Sequence, residues 1–119
     1  MGLAPAVGQD EDHMRAIANA FGGGFTRLRE VCGAVSGMMM IIGLKHSEMS
    51  KTEMYEYARK AIDEFKEICG SYICRDLINA TDNTSTTPEA RTTQYYAKRP
   101  CLEIVEIATK ITLKYIGHN

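Results

Sequence analysis

The residues of this chain best suited to chemistry are its four cysteines, at positions 32, 69, 74 and 101. Thiolates attack disulfides, pair with one another, or bind zinc and iron-sulfur centres. The separations of 37, 5 and 27 residues contain no C-x-x-C pair, so only folding can bring these thiols together. The alternative for each of them is a structural role, because a free cysteine also packs as a small buried hydrophobic residue.

Three of the four thiols have an arginine close by in the sequence. The pairs are Arg29 with Cys32, Arg75 with Cys74, and Arg99 with Cys101. Cys32 and Cys101 also fall near expected helix starts, where the helix dipole favours a thiolate. We therefore predict a redox site at Cys32, Cys74 and Cys101, with Cys32 as the best nucleophile, or alternatively a metal site formed by the same three residues.

The fourth thiol, Cys69, has a different setting. It follows Phe65 by four residues and so continues the apolar stripe of a predicted helix. We interpret Cys69 as a core residue, with a role as an additional thiol of the site as the alternative.

The element expected to hold Cys32 is an uncharged run from Val31 to Leu44, which predicts a buried central helix over about 28–45. The run is too short to span a bilayer, which takes about 20 apolar residues. Its glycines at 33, 37 and 43 each cost roughly 1 kcal/mol relative to alanine. We expect close approach of a neighbouring backbone, thiol or cofactor to compensate, above all at the face shared by Gly33 and Gly37.

The rest of the chain also shows helical patterns, and no strand pattern occurs. Helices are predicted over 9–21 with Asp10 as the cap, from a capping box at Ser50 and Glu53 to Gly70, over 72–78, and from about Pro100 to Gly117. Residues 79–93 are expected to form a loop, and 93–99 fit either helix or coil. The fold class predicted is all-α, a small bundle of four to five helices around the central one.

A run of three glycines, Gly22, Gly23 and Gly24, precedes the central helix. Such a run ends a helix and lets the chain turn sharply. A phosphate cradle assisted by Arg27 and Arg29 is the less favoured alternative, because no Walker-type sequence follows.

Composition excludes several classes of protein. With 119 residues, the chain is long enough for one domain with a real core. Fourteen basic and fifteen acidic residues nearly balance, and no basic cluster suggests nucleic acid. The N-terminus lacks the features of a signal peptide, so the cytosol is the expected compartment. No constellation for general acid-base catalysis is evident.

Several segments together resemble a known family. They are FGGGF at 21–25, EVCGAVSG at 30–37, MMMIIGLKH at 38–46, CRDLI from Cys74 and CLEIVEIA from Cys101. From Leu3 onward the chain closely resembles the C_GCAxxG_C_C family of redox-active proteins. Its central motif is written here as C-G-A-x-x-G, from Cys32 through Gly33 and Ala34 to Gly37, with the first two positions exchanged.

The resemblance implies a small bacterial helical protein with a redox role, often encoded near oxidoreductases or transporters. Relatives include a domain of the split-Soret cytochrome type, which keeps an iron-sulfur or other metal centre as an alternative. The family pattern begins with a further cysteine on an upstream helix, and this sequence starts after that point. We expect a single domain, 1–119, without that helix, either because the sequence is truncated or because this member has lost it.

Three hypotheses follow, and no substrate can be named for any of them. The first is a redox protein using thiol-disulfide exchange or electron transfer, with an oxidoreductase or electron-transfer protein as its partner. The second is a protein that binds zinc or an iron-sulfur cluster through Cys32, Cys74 and Cys101. The third is a helical interaction module, supported by the consecutive Met38, Met39 and Met40. A homodimer is compatible with each of them.

Overall fold

A computed structural model describes residues 2–78 and 101–117, except for the side chains of Ile78 and Cys101. Within those residues the chain forms five α-helices and no strand. They are α1 (Glu11–Ala18), α2 (Gly33–Lys45), α3 (Lys51–Cys69), α4 (Cys74–Ile78) and α5 (Cys101–Tyr115). The predicted all-α bundle is therefore confirmed. The expectations for Pro100 and for residues 79–99 lie outside the described residues.

The core is built where α2, α3 and α5 pack together. Its buried side chains are Val35, Met38, Ile41 and Ile42 from α2, Ala61 and Phe65 from α3, Ile104, Ala108, Ile111 and Tyr115 from α5, and Ile116 just beyond. Helix α2 carries no charge before Lys45, and several of its faces meet neighbouring elements. It is the buried central helix that the sequence predicts.

Local capping signals fix the ends of two helices. The backbone N–H of Glu53 donates to Ser50 Oγ at 3.2 Å, and the N–H of Ser50 donates to Glu53 Oε1 at 3.2 Å, which is the predicted capping box. Gly70 ends α3 with φ +88°. Asp10 caps α1 by accepting from the N–H of His13 at 2.8 Å.

The start of the central helix differs from the prediction. Helix α2 begins at Gly33 and not near Leu28, because Arg27 and Arg29 adopt φ values of +62° and cannot belong to a right-handed helix. The close approach of a neighbouring backbone that was predicted for the glycines of this helix is found at Gly33 and not at Gly43. A Cβ on Gly33 would lie 3.0 Å from the carbonyl oxygen of Phe21, whereas a Cβ on Gly43 would meet no atom within 4 Å.

The end of α5 is tied to both neighbouring helices. The carbonyl oxygen of Tyr115 accepts from the Tyr57 hydroxyl at 2.6 Å and lies 2.9 Å from His46 Nε2. The Tyr115 hydroxyl donates to Glu64 Oε1 at 2.7 Å, and Lys114 Nζ donates to the same oxygen at 2.8 Å. These bonds anchor the helix whose opposite end lies beside the cysteines.

Candidate functional site

Two short segments meet just before the helices that carry Cys32 and Cys74. Residues 29–32 run antiparallel to residues 72–75, and an isolated bridge joins Val31 to Ile73. Because side chains alternate between the two sides of an extended pair, positions 32 and 74 fall on the same side. The fold thus brings together two cysteines that are 42 residues apart in the sequence.

Backbone hydrogen bonds hold both cysteines at this junction. The N–H of Cys32 donates to the carbonyl oxygen of Tyr72 at 2.9 Å. The N–H of Cys74 donates to the carbonyl oxygen of Glu30 at 2.6 Å. Each cysteine also stands at the start of a helix, Cys32 as the N-cap of α2 and Cys74 as the first residue of α4.

The glycine-rich segment before Cys32 forms a left-handed turn. Positions 23–27 all have positive φ, between +52° and +74°. The six backbone N–H groups from Phe25 to Glu30 each donate to a carbonyl oxygen between Ala20 and Phe25. These groups are therefore occupied within the turn, which favours the sharp-turn interpretation over a phosphate cradle.

Gly24 allows this turn to lie against Cys74. Its φ is +74°, and a Cβ at this position would lie 2.6 Å from Cys74 Cβ and 2.8 Å from the backbone nitrogen of Glu30. Separations this short are not tolerated between heavy atoms, so only glycine fits. The third residue of the glycine run thus sets the distance between the turn and the thiol.

Arg29 is the cation that reaches Cys74. Its side chain is buried, with 3% of the residue exposed, and Nη1 lies 3.8 Å from Cys74 Sγ. Arg75, the neighbour of Cys74 in the sequence, instead lies on the surface, where its Nη2 is 3.4 Å from Glu30 Oε1. The prediction paired Arg29 with Cys32 and Arg75 with Cys74, and sequence proximity did not indicate the contact that the fold makes.

Cys32 and Cys74 line one cavity of about 220 Å³. Its other lining residues come from the glycine run, from Arg29, and from helices α2, α4 and α5, namely Gly22, Gly23, Gly24, Gly33, Ala34, Leu77, Ile104 and Val105. The cavity combines two thiols, one guanidinium and an otherwise apolar wall. Such a site suits chemistry at sulfur sheltered from water.

The remaining two cysteines are Cys101, on helix α5, and Cys69, on helix α3. Cys101 begins α5, one turn before Ile104, but its side chain is not described. Cys69 ends α3 and packs partly buried against the core. Burial, with a smaller contribution from the nearby Glu103 carboxylate, raises the pKa of the Cys69 thiol. A raised pKa keeps Cys69 protonated and poorly nucleophilic.

The described side chains supply part of the ligand set that a metal ion would need. Among the described side chains, no group of three or more His, Cys, Asp or Glu residues is arranged to hold a metal ion. Cys32 and Cys74 supply two thiolates, whereas structural zinc takes four ligands. Any further cysteine ligand beside this cavity would have to come from Cys101.

Residues 1–115 match the family model described as "Putative redox-active protein (C_GCAxxG_C_C)". The chain belongs to this family. The C_GCAxxG_C_C match confirms the resemblance found in the sequence and covers both described cysteines of the cavity. No curated protein and no solved structure matches the chain. None of the helices in the described parts of this C_GCAxxG_C_C protein is long and apolar enough to cross a membrane.

Proposed function

We propose that this protein is a dithiol redox carrier in which Cys32 and Cys74 form the reacting pair. The observation that carries the proposal is that both thiols line one 220 Å³ cavity, on the same side of the antiparallel segments. Membership in a family described as redox-active supports the same conclusion. Cys101 is proposed as a third thiol of the site, because its helix lines the cavity one turn later.

The proposed reaction is a two-electron exchange between thiols and a disulfide. The two thiols lose two protons and two electrons as one sulfur-sulfur bond forms, and the partner's disulfide takes them up to become two thiols. An oxidoreductase or electron-transfer protein is the proposed partner. In the cytosol, which we propose as the compartment, the resting state is the dithiol.

A metal centre is the second candidate, and the positions of the cysteines give it a specific argument. Diagonal positions of an ideal antiparallel pair lie about 7–8 Å apart. A disulfide needs Cα atoms about 4.4–6.8 Å apart. At that ideal spacing a disulfide would draw the two segments together, whereas a zinc ion or iron-sulfur cluster between Cys32 and Cys74 would tolerate the wider spacing.

One experiment separates these candidates. Protein purified without oxygen is assayed for iron, zinc and acid-labile sulfide, then equilibrated in dithiothreitol and glutathione redox buffers while its thiols are counted. We expect little metal and a transition that consumes two thiols, abolished by Cys32→Ser or Cys74→Ser and retained in Cys69→Ser. Stoichiometric metal that is lost in the first two variants would establish the metal centre instead. If all four thiols stay reduced throughout, the hypothesis of a helical interaction module would remain.

A further inference from the structure

The two thiols of the cavity differ in how a substrate can reach them. Cys32 is half-buried, whereas only 7% of Cys74 is exposed. The cavity shares Gly33, Ala34 and Val105 with a larger groove of about 470 Å³ along α2 and α5. Gly33 and Ala34 directly follow Cys32, so the wall that the groove and the cavity share begins next to this cysteine in the chain.

Cys74 is the more deeply buried of the two thiols, at 7% exposed. The glycine turn covers it so tightly that a Cβ on Gly24 would lie 2.6 Å from Cys74 Cβ. Arg29 Nη1 lies 3.8 Å from its sulfur, a contact length that reflects the large radius of sulfur. The backbone of Arg29 is fixed as well, since its carbonyl oxygen accepts from the N–H of Arg75 at 3.2 Å.

We propose that Cys32 is the attacking thiol, that Cys74 is the resolving thiol, and that Arg29 is a positioning residue that holds the Cys74 sulfur for the second step. This assignment rests on the proposed function and gives its two cysteines separate roles. The substrate class is an accessible disulfide that approaches along the groove. A guanidinium that donates to the buried sulfur holds it in one position and so fixes its direction of attack.

The proposed reaction consists of two successive thiol-disulfide exchanges. The Cys32 thiolate attacks one sulfur of the substrate disulfide, which forms a mixed disulfide on Cys32 and releases the other half as a thiolate. The Cys74 thiolate then attacks the Cys32 sulfur, which forms the Cys32–Cys74 disulfide and releases the second half. The protein loses two electrons and two protons in total, and the substrate disulfide becomes two thiols.

The test uses one equivalent of 5,5′-dithiobis(2-nitrobenzoate) with the fully reduced protein. Thionitrobenzoate release gives the rate of each step, and mass spectrometry of peptides locates the adduct. Wild type is expected to show a transient adduct on Cys32 followed by a Cys32–Cys74 disulfide. Cys74→Ser should retain the adduct on Cys32, and Cys32→Ser should slow labelling of Cys74 on the order of tenfold because that sulfur is shielded. Cys69→Ser is the matched control and should behave as wild type.

Two Arg29 variants test the positioning role. Arg29→Gln is expected to slow the second step on the order of tenfold, and Arg29→Lys by about threefold, because lysine keeps the charge without the planar guanidinium. Neither should change the first step by more than about twofold. Arg75→Gln removes the exposed cation beside Cys74 and should leave both steps within about twofold. If circular dichroism shows that Arg29→Gln does not fold, the rate of the second step in Arg29→Lys alone tests the positioning role.

The results that overturn this inference differ from those that overturn the proposed function. An adduct that accumulates on Cys74, a Cys32–Cys101 disulfide in wild type, or equal slowing of both steps by the Arg29 variants would refute the division of roles. Each of these results leaves thiol chemistry intact. Absence of any Cys32–Cys74 disulfide in wild type would refute the proposed function itself.

Discussion

The guanidinium of Arg29 lies 3.8 Å from the sulfur of Cys74, across 45 positions of sequence. The contact exists because a left-handed turn ends in an extended segment that pairs with residues 72–75. The same pairing places Cys32 and Cys74 at one cavity. The left-handed turn and the paired segments therefore bring two thiols, one guanidinium and the glycine run to the same cavity.

The turn gives the first prediction, that Gly24→Ala is strongly destabilising. Alanine at φ +74° costs about 1–2 kcal/mol, and the contact with Cys74 adds about 1–3 kcal/mol of overpacking. Urea unfolding followed by circular dichroism measures the loss. Gly70→Ala is the control, because Gly70 has φ +88° but no neighbour within 4 Å, and it should lose only about 1–2 kcal/mol. Equal losses in the two variants would mean that the turn does not press on Cys74.

Two glycines of the central helix should respond to alanine with opposite signs. Gly43→Ala is expected to stabilise the protein by about 0.5–1 kcal/mol, because a Cβ there meets no atom within 4 Å and alanine favours helix. Gly33→Ala is expected to destabilise it by about 1 kcal/mol, because its Cβ would lie 3.0 Å from the Phe21 carbonyl oxygen. Free energies of unfolding from urea titrations give both signs. Stabilisation by both changes would contradict the close approach at Gly33.

Tyr115 should lend stability that disappears at high pH. Burial, and then its hydrogen bond to Glu64, raises the pKa of Tyr115 from 10.0 to about 12. Because the folded pKa is the higher one, this stability is complete below pH 10 and is lost as the pH rises through about 12. After allowance for the partly exposed Glu64, the loss is about 1–2 kcal/mol. Urea unfolding at pH 8 and near pH 11 should show it in wild type and not in Tyr115→Phe, and equal losses would contradict the assignment.

Glu64 should contribute in the opposite pH range. Hydrogen bonds from Lys114, and then from Tyr115, hold the pKa of Glu64 below its ordinary 4.5. Since the folded pKa is depressed, the stability is present above pH 4.5 and is lost as the pH falls through the folded value. The pair is largely exposed, so the effect is under about 1 kcal/mol. Glu64→Gln should flatten the decline in unfolding free energy between neutral pH and pH 3.5, and an unchanged decline would exclude Glu64 as its source.

Local signals in the sequence predicted much of the helical framework. Asp10, the Ser50 and Glu53 box, and Gly70 act through atoms within four residues, so their effect is visible without the fold. Phe65, which the sequence places on the apolar stripe of this helix, is likewise fully buried. These features depend on residues that are close together in the sequence, so they can be recognised before the fold is known.

The arrangement of the candidate site could not be predicted in the same way. Phe25, Thr26, Arg27 and Arg29 have positive φ although none is glycine, and tertiary packing imposes such values against local preference. Helix α2 consequently starts at Gly33, and the Arg29 guanidinium lies beside Cys74, a contact that the sequence did not indicate. Sequence composition indicated that the cysteines were reactive candidates, and only the pairing of segments showed which cation reaches which thiol.

The most direct test of the account is the disulfide that forms on mild oxidation. Reduced protein is treated with one equivalent of diamide, blocked with iodoacetamide, digested without reductant and analysed by mass spectrometry. The account predicts a linked pair of peptides containing Cys32 and Cys74, with Cys69 alkylated. Recovery of Cys32 and Cys74 both alkylated, or each linked only to another cysteine, would contradict it.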